Sequence, residues 1–419
     1  MSEMTAISNF FRSKLFSNLW NQTILTGVSY IIPLLLVPFL LNRLGVEYYG
    51  LINFALAFSF YFQIVNEFGF DLSNVRHVVA NRDNPDGLSK VFYGILRCKS
   101  YLILVTFVVY GILVLLVPTL RAEWVLYVLT FIRLYGIILS PSWLFRSMED
   151  SKFITRISLP LNILCVLPVF FIVKSSADYL WVMFFYAVQC LIPNLVAIFF
   201  AIKQYNLHRV SISLSDVKFY LKDSIPFFTS TLLMRVYQNS NPFILGLFCG
   251  NSAVGIYTAA DKLHNAYASF VAPIISKVLY PYFTRIKDMV RMNKITIIVV
   301  LCNVLCLVLL FFLSPIVLPL VLKVDSSTIA AYFNLFLLVL LFSIPCELLG
   351  FSYLGVIGKV SKVTFSTMIA SVTYLILIGL LFIWGNISIM NLIIVLGVVN
   401  VINLILRLYY IKKTDRTVI

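Results

Sequence analysis

Twelve apolar stretches, each long enough to cross a bilayer, follow one another along this chain. Their cores lie at 23–41, 51–70, 101–117, 124–144, 154–173, 180–202, 225–247, 254–280, 295–322, 331–354, 363–384 and 389–411. About 20 apolar residues, rising about 1.5 Å each, match a hydrocarbon core about 30 Å thick. No water reaches that core, so every backbone N–H and C=O must pair inside the protein. Helices and closed barrels both achieve this. Barrel strands run to about 10 residues and alternate in polarity, whereas these stretches are roughly twice as long and do not alternate. The expected fold is an all-α integral membrane protein with 12 transmembrane helices. A content of 61% hydrophobic and 12% charged residues agrees. The short connections leave no room for a soluble domain.

The basic residues orient the spans. All but eight of the 32 Lys and Arg fall at the two termini and on the five alternate loops between them, counting Arg156 and Arg407 at the inner ends of their spans. Cytoplasmic loops retain Lys and Arg, so both termini are expected in the cytoplasm. The net charge of +15 therefore sits on one face, where it meets anionic membrane lipid; nucleic acid is not expected as a partner. Arg43, Arg121, Lys174 and Lys323 lie on the opposite side. Arg133, Arg235, Lys262 and Lys277 lie inside spans. Arg12 and Lys14 precede the first span without a cleavage-site pattern, which reads as an uncleaved anchor.

A repeat divides the chain. Pro38-Phe39-Leu40-Leu41 precedes Gly50 as Pro242-Phe243-Ile244-Leu245 precedes Gly255, and Pro141 is matched by Pro345. The offset is 204 to 205 residues. Each half then holds six spans, an even number, so the repeat is parallel. The expected architecture is two six-helix bundles, 1–205 and 206–419, with the substrate site between the repeats. The basic linker 203–223 should lie on the cytoplasmic surface.

Charges inside spans mark candidate function, because centring an Arg costs roughly 2.5–3.5 kcal/mol on insertion scales. Arg133 and Arg235 each lie near mid-span, one in each half, and Gln238 and Asn239 share a helical face with Arg235. A guanidinium fork matches phosphate geometry. In span eight, Asp261, His264 and Asn265 share one face, and Lys262 points about 100° away. Asp261 could form an ion pair with Arg235. Span two carries a stripe of Ser59, Gln63, Asn66 and Glu67, with Asp71 at its end. Glu67 is either a coupling-proton acceptor or a partner of Arg97 or Lys99. Lys277 snorkels near the end of its span. Arg133, Arg235, Lys262, Gln238 and Asn239 are thus candidate substrate-binding residues. Asp261, Glu67 and His264 are candidates for the coupling ion.

Other chemistries are not expected. The seven Cys are scattered through apolar runs without a zinc or C-x-x-C spacing. His77, His208 and His264 are unrelated in position, and Gly358-Lys359-Val360 is no phosphate loop. No metal or cofactor is expected. No outer loop could house an active site, so an enzyme is not expected.

Several segments resemble the O-antigen (lipid-linked oligosaccharide) flippases of the multidrug/oligosaccharidyl-lipid/polysaccharide exporter superfamily. They are Gly69-Phe70-Asp71-Leu72-Ser73-Asn74-Val75-Arg76, Leu44-Gly45…Tyr49-Gly50, and Pro141-Ser142-Trp143…Glu149 followed by Phe153-Ile154-Thr155. Arg146-Ser147 departs from the usual Gln-Gly. The resemblance implies alternating access by two six-helix bundles, moving a repeat unit on undecaprenyl pyrophosphate. Transport would run from the cytoplasmic to the periplasmic leaflet of the bacterial inner membrane, coupled to a cation gradient. It further implies an O-antigen polymerase and a chain-length regulator as partners. A multidrug efflux transporter of the same superfamily is the alternative.

Overall fold

The computed structural model of the protein describes residues 14–150, 154–286 and 288–415. Arg12 and Phe153 lie outside the described residues, as does the side chain of Lys14. The main helices are α1 (Lys14–Glu67), α2 (Phe70–Ala80), α3 (Pro85–Leu116), α4 (Trp124–Ile138), α5 (Ser142–Ser147), α6 (Tyr179–Gln204) and α7 (Leu214–Asn239). There follow α8 (Asn241–Phe248), α9 (Asn251–Pro273), α10 (Met289–Val321), α11 (Ser326–Glu347), α12 (Val360–Ile383) and α13 (Ile389–Asp415). No strand occurs among the described residues.

Among the described residues, eight helical runs are long and apolar enough to cross a membrane. They differ from the twelve expected spans for three physical reasons. Spans one and two fall within one run, Leu34–Ala80, in which the backbone leaves helical geometry at Gly45. Span five is the shorter Arg156–Ile172, interrupted at Pro160 and Pro168. In spans seven and eight, α7 and α9 are too polar and α8 is only eight residues long; α7 and α9 carry Arg235, Gln238, Asn239, Asp261, Lys262 and His264. The helices furthest from an apolar span are therefore the ones holding most of the candidate site. At the other extreme is α10, where only 11% of its most apolar window is buried. Its outward Ile298, Leu301, Leu305 and Phe312 suit contact with lipid tails.

Packing groups the chain into two compact units. One holds Ala55–Arg235 with the start of α1; the other holds Tyr30–Phe54 and Val236–Ile419. In the first unit, Trp143 of α5 is 1% exposed and stacks on Phe92 of α3 at 6.1 Å, with Phe70, Leu144, Phe145 and Tyr220 around it. The Pro-x-Trp segment is thus a core anchor. Helix α4 stops before Pro141, and the buried Lys99 of α3 donates to the Ile138 carbonyl at 2.9 Å. That bond satisfies a terminal carbonyl that would otherwise face apolar surroundings. Gly136 lets α4 approach α6: a Cβ there would lie 2.7 Å from the Cys190–Leu191 backbone. Asn194 of α6 donates to the Gly136 carbonyl at 3.0 Å.

In the second unit, the repeat becomes a backbone feature. Gly45 has φ 75 and ψ 172, and Gly250 has φ 81 and ψ 176. L side chains rarely adopt this region, so glycine is required at both breaks. Five residues beyond each break comes a second glycine, Gly50 or Gly255. A Cβ on Gly50 would clash with the Asn251 carbonyl, and one on Gly255 with the Val46 carbonyl. Val46 and Asn251 are themselves equivalent in the repeat. The contact is reciprocal: two equivalent helix starts cross backbone to backbone.

Candidate functional site

Two polar clusters hold most of the candidate residues, one in each compact unit. In the first, Glu67 at the end of α1 forms an ion pair with Arg235 of α7 and accepts a hydrogen bond from Gln63 at 2.7 Å. The carboxylate side chain is 18% exposed and the guanidinium side chain 32% exposed. The polar stripe of span two supplies this cluster and a second anchor. Asn66 donates to Thr106 of α3 at 2.9 Å and to the Phe62 carbonyl at 2.8 Å. The structure corrects the expected pairings. Glu67 takes Arg235, not Arg97 or Lys99; Arg97 lies over the Tyr101 ring and Lys99 caps α4.

In the second unit, Lys262 of α9 donates to Asn53 at 3.2 Å and lies 5.1 Å from the centre of the Tyr49 ring. Asp261 accepts from Asn265 at 2.9 Å and lies 3.6 Å from His264, both on its own helix face. The His264 ring stacks on Phe336 of α11 at 4.8 Å. Gln238 and Asn239 are exposed at the end of α7. Arg133 stands apart on α4, half-buried beside Cys190 of α6. Glu67, Arg133 and Arg235 thus belong to the first unit, and Gln238, Asn239, Asp261, Lys262 and His264 to the second.

Residues assigned to the basic loops also prove to be interior. Arg407 of α13 is 7% exposed. It donates to the Cys346 carbonyl, to Ser366 at 3.2 Å and to Thr367 at 3.1 Å, and packs against Gly350. There the chain leaves α geometry for wide turns over Leu348–Gly355, with Gly350 at ψ −122. Arg407 supplies the donor that the distorted backbone no longer provides. Its place in the apolar stretch 389–411 was a signal, hidden by the neighbouring Lys412 and Lys413.

The Gly69–Arg76 segment builds a dock between α2 and the start of α7. Gly69 turns the chain at φ 74 and lies against the backbone of Phe227 and Phe228. Ser73 and Ser224 share a hydrogen bond at 2.7 Å, and Phe68 stacks on Phe228 at 4.7 Å. Arg76 pairs with one oxygen of Asp223, and His77 Nε2 lies 3.0 Å from the other. Arg146, where the family has Gln, pairs with Asp71 at 3.0 Å.

Partial burial opposes ionisation of Asp223, but the hydrogen bonds and charges of Arg76 and His77 outweigh it and hold the carboxyl below its usual range. A lowered folded pKa gives a contribution that is complete above the unfolded value of about 3.9 and lost as pH falls through the folded value. Asp223→Asn should therefore cost about 1 kcal/mol at neutral pH, the low end for a charge-assisted bond to a solvated Arg. Thermal unfolding in detergent should show this gap closing on acidification. A gap that stays constant into acid would mean that the carboxylate charge is not what holds the dock.

The fold is that of a helical membrane transporter. The chain is similar to a lipid II flippase MurJ in an inward closed conformation, with TM-score 0.68 and 14% identity, covering 96% of this chain and 88% of that one. It is also similar to a multidrug resistance MATE family transporter of the MOP superfamily in its inward-facing conformation, with TM-score 0.63 and 15% identity, covering 92% and 95%. The family described as "Polysaccharide biosynthesis protein" matches residues 16–287, and the chain belongs to it. A "Putative O-antigen transporter" of Escherichia coli (strain K12) is 28% identical over 274 residues, 65% of each chain. One of the same name from Shigella dysenteriae is 22% identical over 271 residues, 65% of this chain and 68% of its own. The aligned region thus spans less than two thirds of the first relative.

Proposed function

We propose that the protein translocates undecaprenyl-pyrophosphate-linked O-antigen repeat units from the cytoplasmic to the periplasmic leaflet of the inner membrane. Twelve helices in two six-helix bundles, 1–205 and 206–419, would open alternately to each side, coupled to a cation gradient. The observation that carries this reading is the set of basic side chains inside the spans. Arg133, Arg235 and Lys262 are half-buried, not sealed in the core. Within low dielectric such cations attract a pyrophosphate, which carries at least two charges and cannot cross hydrocarbon unaided. Asp261, Glu67 and His264 are the groups that would answer to a coupling ion. Family membership and the two relatives named as O-antigen transporters support the substrate class.

Deleting the gene should remove polymerised O-antigen from the cell surface and leave drug susceptibility unchanged. An unchanged O-antigen ladder would overturn the reading. The alternative, multidrug efflux, is favoured by the fold shared with MATE transporters. It would show instead as hypersensitivity to cationic drugs, which the three basic residues are ill suited to bind.

A further inference from the structure

On the face that the Lys/Arg excess assigns to the cytoplasm, the dock between α2 and α7 forms an open cavity of about 630 Å³. Its walls are Arg76, Phe219, Lys222, Asp223, Pro226 and Phe227. The charges divide unequally. Asp223 is engaged from both sides by Arg76 and His77. The Arg76 guanidinium is held on that carboxylate and over the Phe227 ring at 5.9 Å, yet remains 57% exposed. Only part of its fork faces Asp223, so N–H donors remain for a second acceptor. Lys222 is exposed on the rim and adds a mobile point charge.

The apolar part of the cavity is also specific. Phe219 is 56% exposed on α7 where it enters span seven, and Pro226 and Phe227 complete the apolar lining. His77 meets the Phe219 ring edge-on at 5.7 Å, which fixes that wall. A soluble anion would leave these surfaces bare. A phosphate ester carried on a lipid would cover them, its phosphate at the two cations and its chain entering the bilayer beside Phe219. Basic pockets at the inner ends of transmembrane helices bind lipid head groups in this way.

We propose that this cavity binds the phosphate of a membrane-anchored lipid between Arg76 and Lys222, with Phe219 and Phe227 as its apolar walls. The ligand class is a lipid phosphate ester. If that lipid is an isoprenoid pyrophosphate, the cavity is the loading site of the proposed flippase, and that arm alone rests on the proposed function. If it is a bulk anionic phospholipid, the site anchors α2 and α7 to the inner leaflet.

The test uses the purified full-length protein in phosphatidylcholine nanodiscs, with geranylgeranyl pyrophosphate as probe and phosphatidylglycerol as competitor, read by native mass spectrometry. Lys222→Gln and Phe219→Ala change exposed side chains and leave the dock intact. Lys222→Gln should weaken probe binding about fivefold, the effect of roughly one basic residue at a membrane surface, and Phe219→Ala should weaken it through lost apolar cover. Lys203→Gln, the same charge change elsewhere on the linker, should not. Sensitivity to the variants without competition by phosphatidylglycerol supports the isoprenoid source. Equal competition with the same sensitivity supports the phospholipid source. Equal binding of both lipids by all four proteins overturns the site. Loss of the flippase reading through an unchanged O-antigen ladder would leave this binding result standing, so the two failures are distinguishable.

Discussion

Under the proposed function, Arg235→Ala is expected to abolish O-unit translocation, and the Glu67 pair explains why the single variant alone would be ambiguous. Removing one partner of a buried ion pair costs about 3–5 kcal/mol, because the other charge stays behind unpaired. Here the pair is partly solvated, with side chains 32% and 18% exposed, so about 1–3 kcal/mol is the reasonable range. Some loss of function would then follow from instability. Arg235→Ala combined with Glu67→Gln removes both charges and keeps the hydrogen-bonding amide next to Gln63. The double variant should regain thermal stability close to wild type. If Arg235 also meets an anionic cargo, translocation should remain reduced about tenfold to a hundredfold, the worth of one charge-assisted hydrogen bond. Measured O-antigen export that returns together with stability would sink the cargo role and leave a structural ion pair.

The residues of this cluster were legible in the sequence, but their pairing was not. Periodicity places Gln63 and Glu67 on one face of α1 and Asp261 and Asn265 on one face of α9, and the hydrogen bonds follow those faces. Which helices are neighbours is a long-range fact that no spacing encodes. Glu67 and Arg235 are separated by 168 residues, and Asp223 lies 147 from Arg76. The same limit hid Lys99 and Arg407. Each sits near the end of an apolar stretch among other basic residues, so composition reads it as part of an inner loop. Only the direction of the side chain shows that it feeds a donor to a broken helix. Trp143 illustrates the opposite case. It stands out as a motif residue, and the structure gives it a packing reason: it fills the core under α3. The repeat was the most informative signal, because equivalent glycines carry equivalent backbone angles.

Those glycines give the second large expected effect. Gly50→Leu or Gly255→Leu should abolish function, since the added side chain meets backbone carbonyls that cannot rotate away. Overpacking against side chains typically costs about 1–3 kcal/mol, and a backbone obstacle leaves displacement of the whole helix as the only relief. Gly50→Ala should already be severe for the same reason. At Gly45 and Gly250 nothing lies within 4 Å of an added Cβ, so the penalty there is conformational alone. It should amount to about 1–3 kcal/mol for a non-glycine residue held in that region. Alanine at Gly45 or Gly250 should therefore lower thermal stability while preserving part of the transport, and alanine at Gly50 or Gly255 should remove both. The comparison is internal to one repeat, because each glycine has its equivalent as a control. If the alanines at 45 and 250 prove as damaging as those at 50 and 255, the backbone crossing is not the critical contact. If Gly50→Ala and Gly255→Ala differ widely, the two helix starts do not share one reciprocal contact, and the symmetry seen at Val46 and Asn251 has no energetic counterpart.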